Sequence, residues 1–255
     1  MSTELPKITF YCPRLDRSRG IRTLWLLEEL GVEYDLKPYY RNAAFRAPKT
    51  LEEIHPLGKC PTILAEWKDG RSKIITETGV IHNFLIKTFD TQKKFGSAEL
   101  FEEIDIDFYT QFAEGSLQPP ATTHLIMFMV ETRSPWFAKP LSSLVCGQVK
   151  KMWSIPETTK CVKYLEDVLS KVEENSDGEL YFVGKRLTGA DIMLHWHIYN
   201  VILNRDEMWG GEFTEAKYPF LAKWAKQITQ RPAYKRTVQK EADLIAAHKT
   251  TAANL

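Results

Sequence analysis

Hydrophobic and polar positions change their spacing twice in the first forty residues. An apolar run at residues 7 to 12 predicts a short strand, and the apolar positions of SRGIRTLWLLEELG then recur with helical spacing up to Gly31, a residue typical of helix ends. The next stretch, VEYDLKPYY, alternates as a second strand does. Strand, helix and strand in this order predict a parallel pair joined by a crossover.

Two further apolar runs, PTILAEW and SKIIT, are separated by KDGR, whose Asp69-Gly70 pair is typical of a hairpin turn. A helix over ETGVIHNFLIKTF follows them. The order βαβ and then ββα predicts a small α/β domain over residues 1–90.

After a polar linker at residues 91–98 the spacing becomes helical, and residues 99–255 are predicted to form an all-α domain. Pro219 and Pro232 stand where helices are expected to begin, because the first helical position needs no N–H donor. A helix from about residue 139 to 174 is expected to be interrupted near Pro156. Cys146 and Cys161 lie on helical stretches, and we expect both in the core.

Composition and charge narrow the function classes. The 255 residues carry 34 Lys and Arg against 33 Asp and Glu, and no basic block suits a nucleic acid. We expect no signal peptide, no transmembrane segment and no metal site. Four dispersed cysteines without CxxC spacing predict reduced thiols in the cytosol or on its side of a membrane.

Several stretches carry a family resemblance across residues 7 to 245. They are SRGIRTLWLLEELGVEYD, IHPLGKCPTIL, TETGVI, VGKRLTGADI and YPFLAKWAKQITQRPAYKR. In this order they resemble the cytosolic glutathione transferases, and YRNAAFRAPKTLEEIHPLGKCP and EGSLQPP resemble the fungal members. The resemblance implies a thioredoxin-like N-terminal domain that binds glutathione, followed by an all-α domain. It also implies that Thr188 and Asp191 form a capping element of a buried helix.

The resemblance implies a set of glutathione-binding residues. A cis bond between Cys60 and Pro61 would turn the backbone toward the bound peptide, and Glu77 and Thr78 at a helix start would hold its γ-glutamyl ammonium and carboxylate. Thr78 alone would otherwise be interpreted as a helix cap. Lys59 or His55 would pair with the glycyl carboxylate, although His55 is equally interpreted as a turn residue. Asp105 would reach the ammonium from a partner subunit.

Three side chains compete as the group that activates the glutathione thiol, whose pKa is about 8.5 when it is free. Ser18 is favoured, because a hydroxyl in the first turn of a helix can donate to a thiolate and Arg19 adds positive potential. Ser18 is also a natural helix cap. Cys12 resembles the cysteine of thiol transferases but lies five residues too early, and Tyr11 resembles the tyrosine of other transferases. Activation by backbone groups alone stays open.

The second substrate is expected to be a hydrophobic electrophile or a hydroperoxide. The resemblance implies that four side chains wall its pocket, namely Phe108, Phe112, Leu117 and Phe128, although the sequence equally allows them to fill the core of the helical domain. It further implies a homodimer that uses glutathione as cosubstrate without any other cofactor, and a cytoplasmic location that allows association with the endoplasmic reticulum surface. Two alternatives stay open, a non-catalytic glutathione-binding regulator of the same fold and a thiol transferase dependent on Cys12.

Overall fold

The computed structural model of the chain describes residues 4–13, 18–41 and 47–253. Residues 1–98 and 228–255 form one compact unit, and residues 99–227 form the other. The prediction from sequence assigned residues 91–98 to a linker and residues 228–255 to the helical domain. Both segments instead belong to the first unit.

The first unit contains a four-stranded mixed sheet in the order β2-β1-β3-β4. Its strands are β1 Lys7–Pro13, β2 Tyr34–Tyr39, β3 Thr62–Glu66 and β4 Ser72–Thr76. β1 pairs in parallel with β2 and antiparallel with β3, and β3 pairs antiparallel with β4. The predicted βαβ-ββα order and thioredoxin-like fold are therefore confirmed, including a hairpin turn with Gly70 at φ 86°.

Three long helices belong to the same unit: α1 Gly20–Leu30, α2 Thr78–Phe89 and α10 Pro232–Ala253. α10 packs on α1, where the rings of Trp25 and Tyr234 meet edge to face with centroids 5.3 Å apart. Trp25 is 2 % exposed. This burial explains why the last segment belongs with the sheet and not with the other helices.

Glu28 holds α10 against α1 and β2. Its carboxylate accepts hydrogen bonds from Tyr34 Oη at 2.6 Å, Lys240 Nζ at 2.5 Å and Arg236 Nε at 3.0 Å. Burial by itself would raise the pKa of Glu28, but these three donors outweigh it, and the pKa lies below that of an ordinary glutamate.

We expect Glu28→Gln to lower the free energy of unfolding by about 1 to 3 kcal/mol at pH 7, because it removes the negative charge and one of the two oxygens that accept from these donors. A group whose pKa is lowered on folding stabilises the fold above its unfolded pKa, and this stabilisation is lost as the pH falls through the folded pKa. The difference from wild type should therefore shrink at pH 3, as measured by urea unfolding. Glu33→Gln, an exposed neighbour, is the matched control and should change little.

The second unit consists of helices and the segments that connect them, the longest of which covers residues 170–188. The helices are α3 Leu100–Phe112, α4 Gln118–Arg133, α5 Lys139–Val149, α6 Ile155–Leu169, α7 Gly189–His195, α8 Asp206–Trp209 and α9 Pro219–Thr229, the last of which ends in the first unit. α8 was not predicted, because four residues are too few to show a helical period. Across residues 4–13, 18–41 and 47–253, no helix has the length and apolarity needed to span a bilayer.

Wide π turns connect consecutive helices in this unit. Ala113–Leu117 joins α3 to α4, and Lys150–Ser154 joins α5 to α6. Pro119, Pro120 and Pro156 follow these turns and lack the N–H that an α-helix would use to bond four residues back. The predicted interruption near Pro156 is therefore a widened turn, and the helical path continues through it.

Asp191 is the buried polar centre of the helical unit. The side chain is fully buried, and its two carboxylate oxygens accept from Thr188 N, Thr188 Oγ1, Phe182 N and Trp224 Nε1 at distances between 2.9 and 3.1 Å. Together with Thr188 it forms a capping box at the start of α7. The structure confirms the capping role implied for these two residues.

Candidate functional site

The sheet aligns three residues at one end of the first unit. Tyr11 on β1 pairs with Thr62 on β3, which in turn pairs with Thr76 on β4. The Cys60-Pro61 peptide immediately precedes Thr62 and is cis, as the resemblance implied. The Glu77-Thr78 pair immediately follows Thr76. Strand register thus brings the proline turn and the start of α2 to the same end of the strands.

Two hydrogen bonds fix the turn before Pro61. The Cys60 thiol donates to the carbonyl of Tyr11 at 3.0 Å, and the Thr62 hydroxyl donates to the carbonyl of Lys59 at 2.8 Å. The contact between Cys60 and Tyr11 was not predicted from the sequence. It joins the turn to the end of β1.

Glu77 has a backbone conformation that side chains rarely adopt, with φ 67° and ψ 122°. Such a conformation costs on the order of 1 to 3 kcal/mol and is found mostly at functional sites. The Glu77 side chain is exposed and does not cap α2. The strained backbone therefore directs the carboxylate outward next to the first turn of the helix.

Thr78 is the first residue of α2, not its cap, so the interpretation as a simple helix cap is wrong. The residue is only 5 % exposed. Among the described residues no hydrogen-bond partner is found for its hydroxyl, and the first turn of α2 contains no acidic side chain. A hydroxyl without a partner, on a largely buried residue at a helix start, can donate to a carboxylate or another anion.

Ser18 and Arg19 lie at the start of α1, and both are half-buried. The Ser18 carbonyl accepts from Ile21 N at 3.3 Å, and its hydroxyl oxygen accepts from Gly20 N at 3.2 Å. Arg19 is the N-cap of α1, so the interpretation of Ser18 as the helix cap is wrong, although the Ser18 hydroxyl oxygen contacts the first helical N–H. A hydroxyl oxygen that accepts still carries its own proton, so donation to an anion is compatible with this contact.

The two competitors of Ser18 lie on β1. Tyr11 is half-buried, with its ring 6.4 Å from the ring of Tyr39. Burial, with smaller contributions from Tyr39 and Glu66, raises the pKa of the Tyr11 phenol, which keeps it protonated at neutral pH. Cys12 pairs with Pro38 in the β1-β2 ladder, and its side chain lies outside the described part of the structure.

The two candidates for the second carboxylate differ in their contacts. His55 Nδ1 accepts from Leu57 N at 3.3 Å in a turn closed by a bond from Gly58 N to the His55 carbonyl at 2.8 Å. Gly58 has φ 54°, and a Cβ there would lie 2.9 Å from Glu52 Cγ. Lys59 is exposed, and within the described ranges it has no ion pair. The geometry favours His55 as a turn residue and Lys59 as the available cation.

A pocket of about 450 Å³ lies within the helical unit, between its first two π turns. Its lining includes Phe112, Ser116, Trp153, Cys161 and Tyr164. The Cys161 thiol donates to the Ser116 carbonyl at 3.6 Å, and burial raises the pKa of the thiol. The prediction of Cys161 as a core residue is wrong, because the side chain is half-buried and faces this pocket.

Only some of the residues predicted to wall the second-substrate pocket lie near one another. Phe108 is 45 % exposed, and its ring lies 5.8 Å from that of Phe112. Phe128 is half-buried and Leu117 is fully buried, so Leu117 packs in the core. Asp105 is exposed on α3. Trp153, Cys161 and Tyr164 were missed, although their helical spacing places them on one face.

The two histidines of the HxH sequence contact oxygen atoms of other residues. His195 Nε2 contacts the Ala225 carbonyl at 3.2 Å, and His197 Nε2 contacts the Gln118 amide oxygen at 2.7 Å. In the part of the chain that the structure describes, no group of three or more His, Cys, Asp or Glu residues is arranged to hold a metal ion.

Comparisons with known proteins agree with this geometry. Residues 14–87 match the family profile of the glutathione S-transferase N-terminal domain, and residues 147–241 match that of the C-terminal domain. Glutathione S-transferase 1 of Saccharomyces cerevisiae is 32% identical over 228 residues, which are 89% of this chain and 92% of that protein. Glutathione S-transferase 3 of Schizosaccharomyces pombe is 26% identical, over 90% of this chain and 86% of that protein.

A solved structure gives the same fold. Ure2p5 from Phanerochaete chrysosporium, cocrystallized with 1-(S-glutathionyl)-2,4-dinitrobenzene, superposes with a TM-score of 0.70 at 19% identity, covering 95% of this chain and 98% of that chain. These relatives are fungal, as the sequence resemblance indicated. From the match of both domain profiles and the identity to the yeast enzyme, the chain belongs to the glutathione S-transferase family.

Proposed function

We propose that the protein binds glutathione along the Cys60-Pro61 turn and transfers its thiolate to hydrophobic electrophiles. The observation that carries this proposal is Thr78, a buried residue whose hydroxyl has no partner among the described residues, at a helix start without acidic side chains. The γ-glutamyl carboxylate fits this position, and the exposed carboxylate of Glu77 beside it suits the ammonium.

In this arrangement the peptide extends from Thr78 along the turn, and Lys59 pairs with the glycyl carboxylate. The cysteinyl sulfur then lies over the first turn of α1, where Ser18 donates its hydroxyl proton and Arg19 adds positive potential. A thiol pKa lowered by two units corresponds to about 2.7 kcal/mol of preferential stabilisation of the thiolate. One charge-assisted hydrogen bond at a helix start supplies an effect of this size.

The pocket lined by Phe112, Trp153 and Tyr164 supports a hydrophobic second substrate, because its rings offer apolar surface and the rim is open to ligands of that class. The conjugate crystallised with Ure2p5 joins the glutathione sulfur to a dinitrobenzene ring, which is an aromatic group of the kind that such a pocket accommodates. Reduction of a hydroperoxide would use the same thiolate, which attacks the peroxide oxygen and releases the alcohol, and a second glutathione would then convert the glutathione sulfenic acid to glutathione disulfide and water. We propose no resident cofactor, with glutathione as cosubstrate.

The proposal includes a homodimer in the cytoplasm. Three apolar side chains of α3 support a dimer, because Leu100, Phe101 and Ile104 are 67%, 73% and 53% exposed. Asp105 lies beside them on the same helix and is exposed, and we propose that it pairs with the glutathione ammonium of the other subunit. Cys60, Cys146 and Cys161 are free thiols, which suits a reducing compartment.

We expect Thr78→Val to weaken glutathione binding about tenfold to hundredfold, since it removes one hydrogen bond to a carboxylate and keeps the side-chain volume. Isothermal titration calorimetry measures this loss. Thr23→Val is the matched control, because Thr23 is fully buried on α1 and its hydroxyl has no partner among the described residues. Equal affinity of wild type and Thr78→Val would contradict the proposed binding mode. Wild type that binds glutathione without any turnover would identify a regulator.

A further inference from the structure

Arg22 is a buried cation in the first turn of α1. Only 1% of its surface is exposed, and the first turn of α1 contains no acidic side chain. The positive end of the helix dipole opposes a cation at this position, and burial adds the cost of removing a charge from water. A neutral side chain of similar length would avoid both costs. Packing alone therefore does not explain an arginine at this position.

Arg22 lies one helical turn beyond Ser18. The Ser18 carbonyl accepts a hydrogen bond from Ile21 N at 3.3 Å. The Arg19 carbonyl accepts from Arg22 N at 3.2 Å, so the helical turn extends back to Ser18. Four residues of helix rise about 6 Å along the axis. Because side chains on a helix lean toward its N-terminus, the Arg22 side chain is directed toward the end of α1 at which the glutathione sulfur is proposed to lie.

The Arg22 charge also lies near α2, which packs on α1. His82 is 1% exposed and lies one turn beyond Thr78 on α2. Burial lowers the pKa of His82 well below its usual value, and the nearby charge of Arg22 lowers it further. His82 is therefore neutral at pH 7, and the Arg22 charge lies close to the starts of both helices of the candidate site.

We propose that Arg22 is a positioning residue of the glutathione site, and that its buried positive charge favours the bound thiolate over the thiol. This role rests on the glutathione binding mode proposed above, to which it adds a second source of stabilisation. Ser18 donates a hydrogen bond to the sulfur, whereas Arg22 acts through its electric field from one turn below. Charges interact more strongly where water is excluded, so a buried cation acts over a longer distance than an exposed one.

The other described charged or titratable groups around the proposed sulfur position are screened or neutral. Lys59 and Glu77 are exposed, so water and salt screen their charges. Tyr11 and His82 are neutral at pH 7, because burial raises the pKa of the phenol and lowers that of the imidazole. Arg19 is half-buried and is screened in part. Among the described groups, the fully buried guanidinium is therefore the least screened charge.

The thiol pKa of bound glutathione tests this role, as measured by the ultraviolet absorption of the thiolate in the binary complex. We expect Arg22→Met to raise this pKa by about one unit, which corresponds to about tenfold less thiolate below the wild-type pKa. Arg22→Lys keeps the charge and should restore most of the wild-type value. At about pH 5 the thiol is protonated in every variant, so calorimetry there should show less than about a threefold change in glutathione affinity.

Lys87→Met is the matched control, because it removes an exposed cation in the last turn of α2 and should leave the thiol pKa unchanged. Urea unfolding checks that each variant is folded, and Arg22→Gln gives the same comparison if Arg22→Met does not fold.

Three outcomes would overturn the role of Arg22 while leaving glutathione binding intact. They are an unchanged thiol pKa in the neutral variants, an equal rise in Arg22→Lys, and a loss of affinity at unchanged pKa, which would assign Arg22 to a glutathione carboxylate. Wild type that binds no glutathione would instead overturn the proposed function together with this role.

Discussion

Asp191→Ala should lower the free energy of unfolding by about 3 to 5 kcal/mol, the largest stability effect that we expect from one substitution in this chain. The change removes the only acceptor shown for two backbone N–H groups and the Trp224 indole, all in a fully buried environment. A buried donor without an acceptor keeps its full desolvation cost. Urea unfolding followed by tryptophan fluorescence measures the loss.

Two further variants separate the hydrogen-bond effect from a general loss of a charge. Asp191→Asn keeps one carbonyl oxygen as an acceptor, and we expect it to be less destabilised than Asp191→Ala. Asp167→Ala removes an exposed carboxylate of α6 and should stay within about 0.5 kcal/mol of wild type. If Asp191→Ala unfolded at the same urea concentration as Asp167→Ala, the role of Asp191 as the buried polar centre would be wrong.

Ser18→Ala should reduce kcat/KM for conjugation about hundredfold at pH 7, because the bound thiol would lose the donor proposed to stabilise its thiolate. Loss of this donor should also change the pH profile of kcat/KM. The wild-type rate should level off once the pH exceeds the lowered thiol pKa, whereas the variant rate should keep rising up to about pH 8.5, the region of a free thiol. The deficit should therefore shrink as the pH rises.

The competing side chains provide the comparison for this experiment. Tyr11→Phe and Cys12→Ala should keep the wild-type pH profile, and Ser170→Ala, an exposed hydroxyl at the end of α6, controls for loss of a serine. Conjugation, peroxide reduction and disulfide reduction are measured for each variant. Loss of disulfide reduction in Cys12→Ala alone would identify a thiol transferase. A normal profile in Ser18→Ala would remove Ser18 from the chemistry.

The sheet and the capping element were predictable because their signals are local. Alternation, the Asp69-Gly70 turn and the spacing of Thr188 and Asp191 each depend on residues close in sequence, and the structure confirms all three. The position of α10 was not predictable in this way. It depends on Glu28 accepting from residues more than two hundred positions away, and no local pattern carries that information.

The candidate site was likewise predictable only in part. The motifs were sufficient to select Glu77 and Thr78, but the strained backbone of Glu77 and the missing partner of the Thr78 hydroxyl became visible only in three dimensions. Cys161 was assigned to the core because helical periodicity does not distinguish a filled interior from a cavity wall. The π turns that open the cavity depend on missing proline donors, which interrupt the α pattern without ending the helix.

The contact between α10 and α1 has a practical consequence for fragment design. A fragment ending at residue 98 would leave Trp25 without Tyr234 and Glu28 without two of its three donors. A minimal glutathione-binding module should therefore be built as a circular permutant, with residues 228–253 fused ahead of residue 4 and the intervening helices deleted.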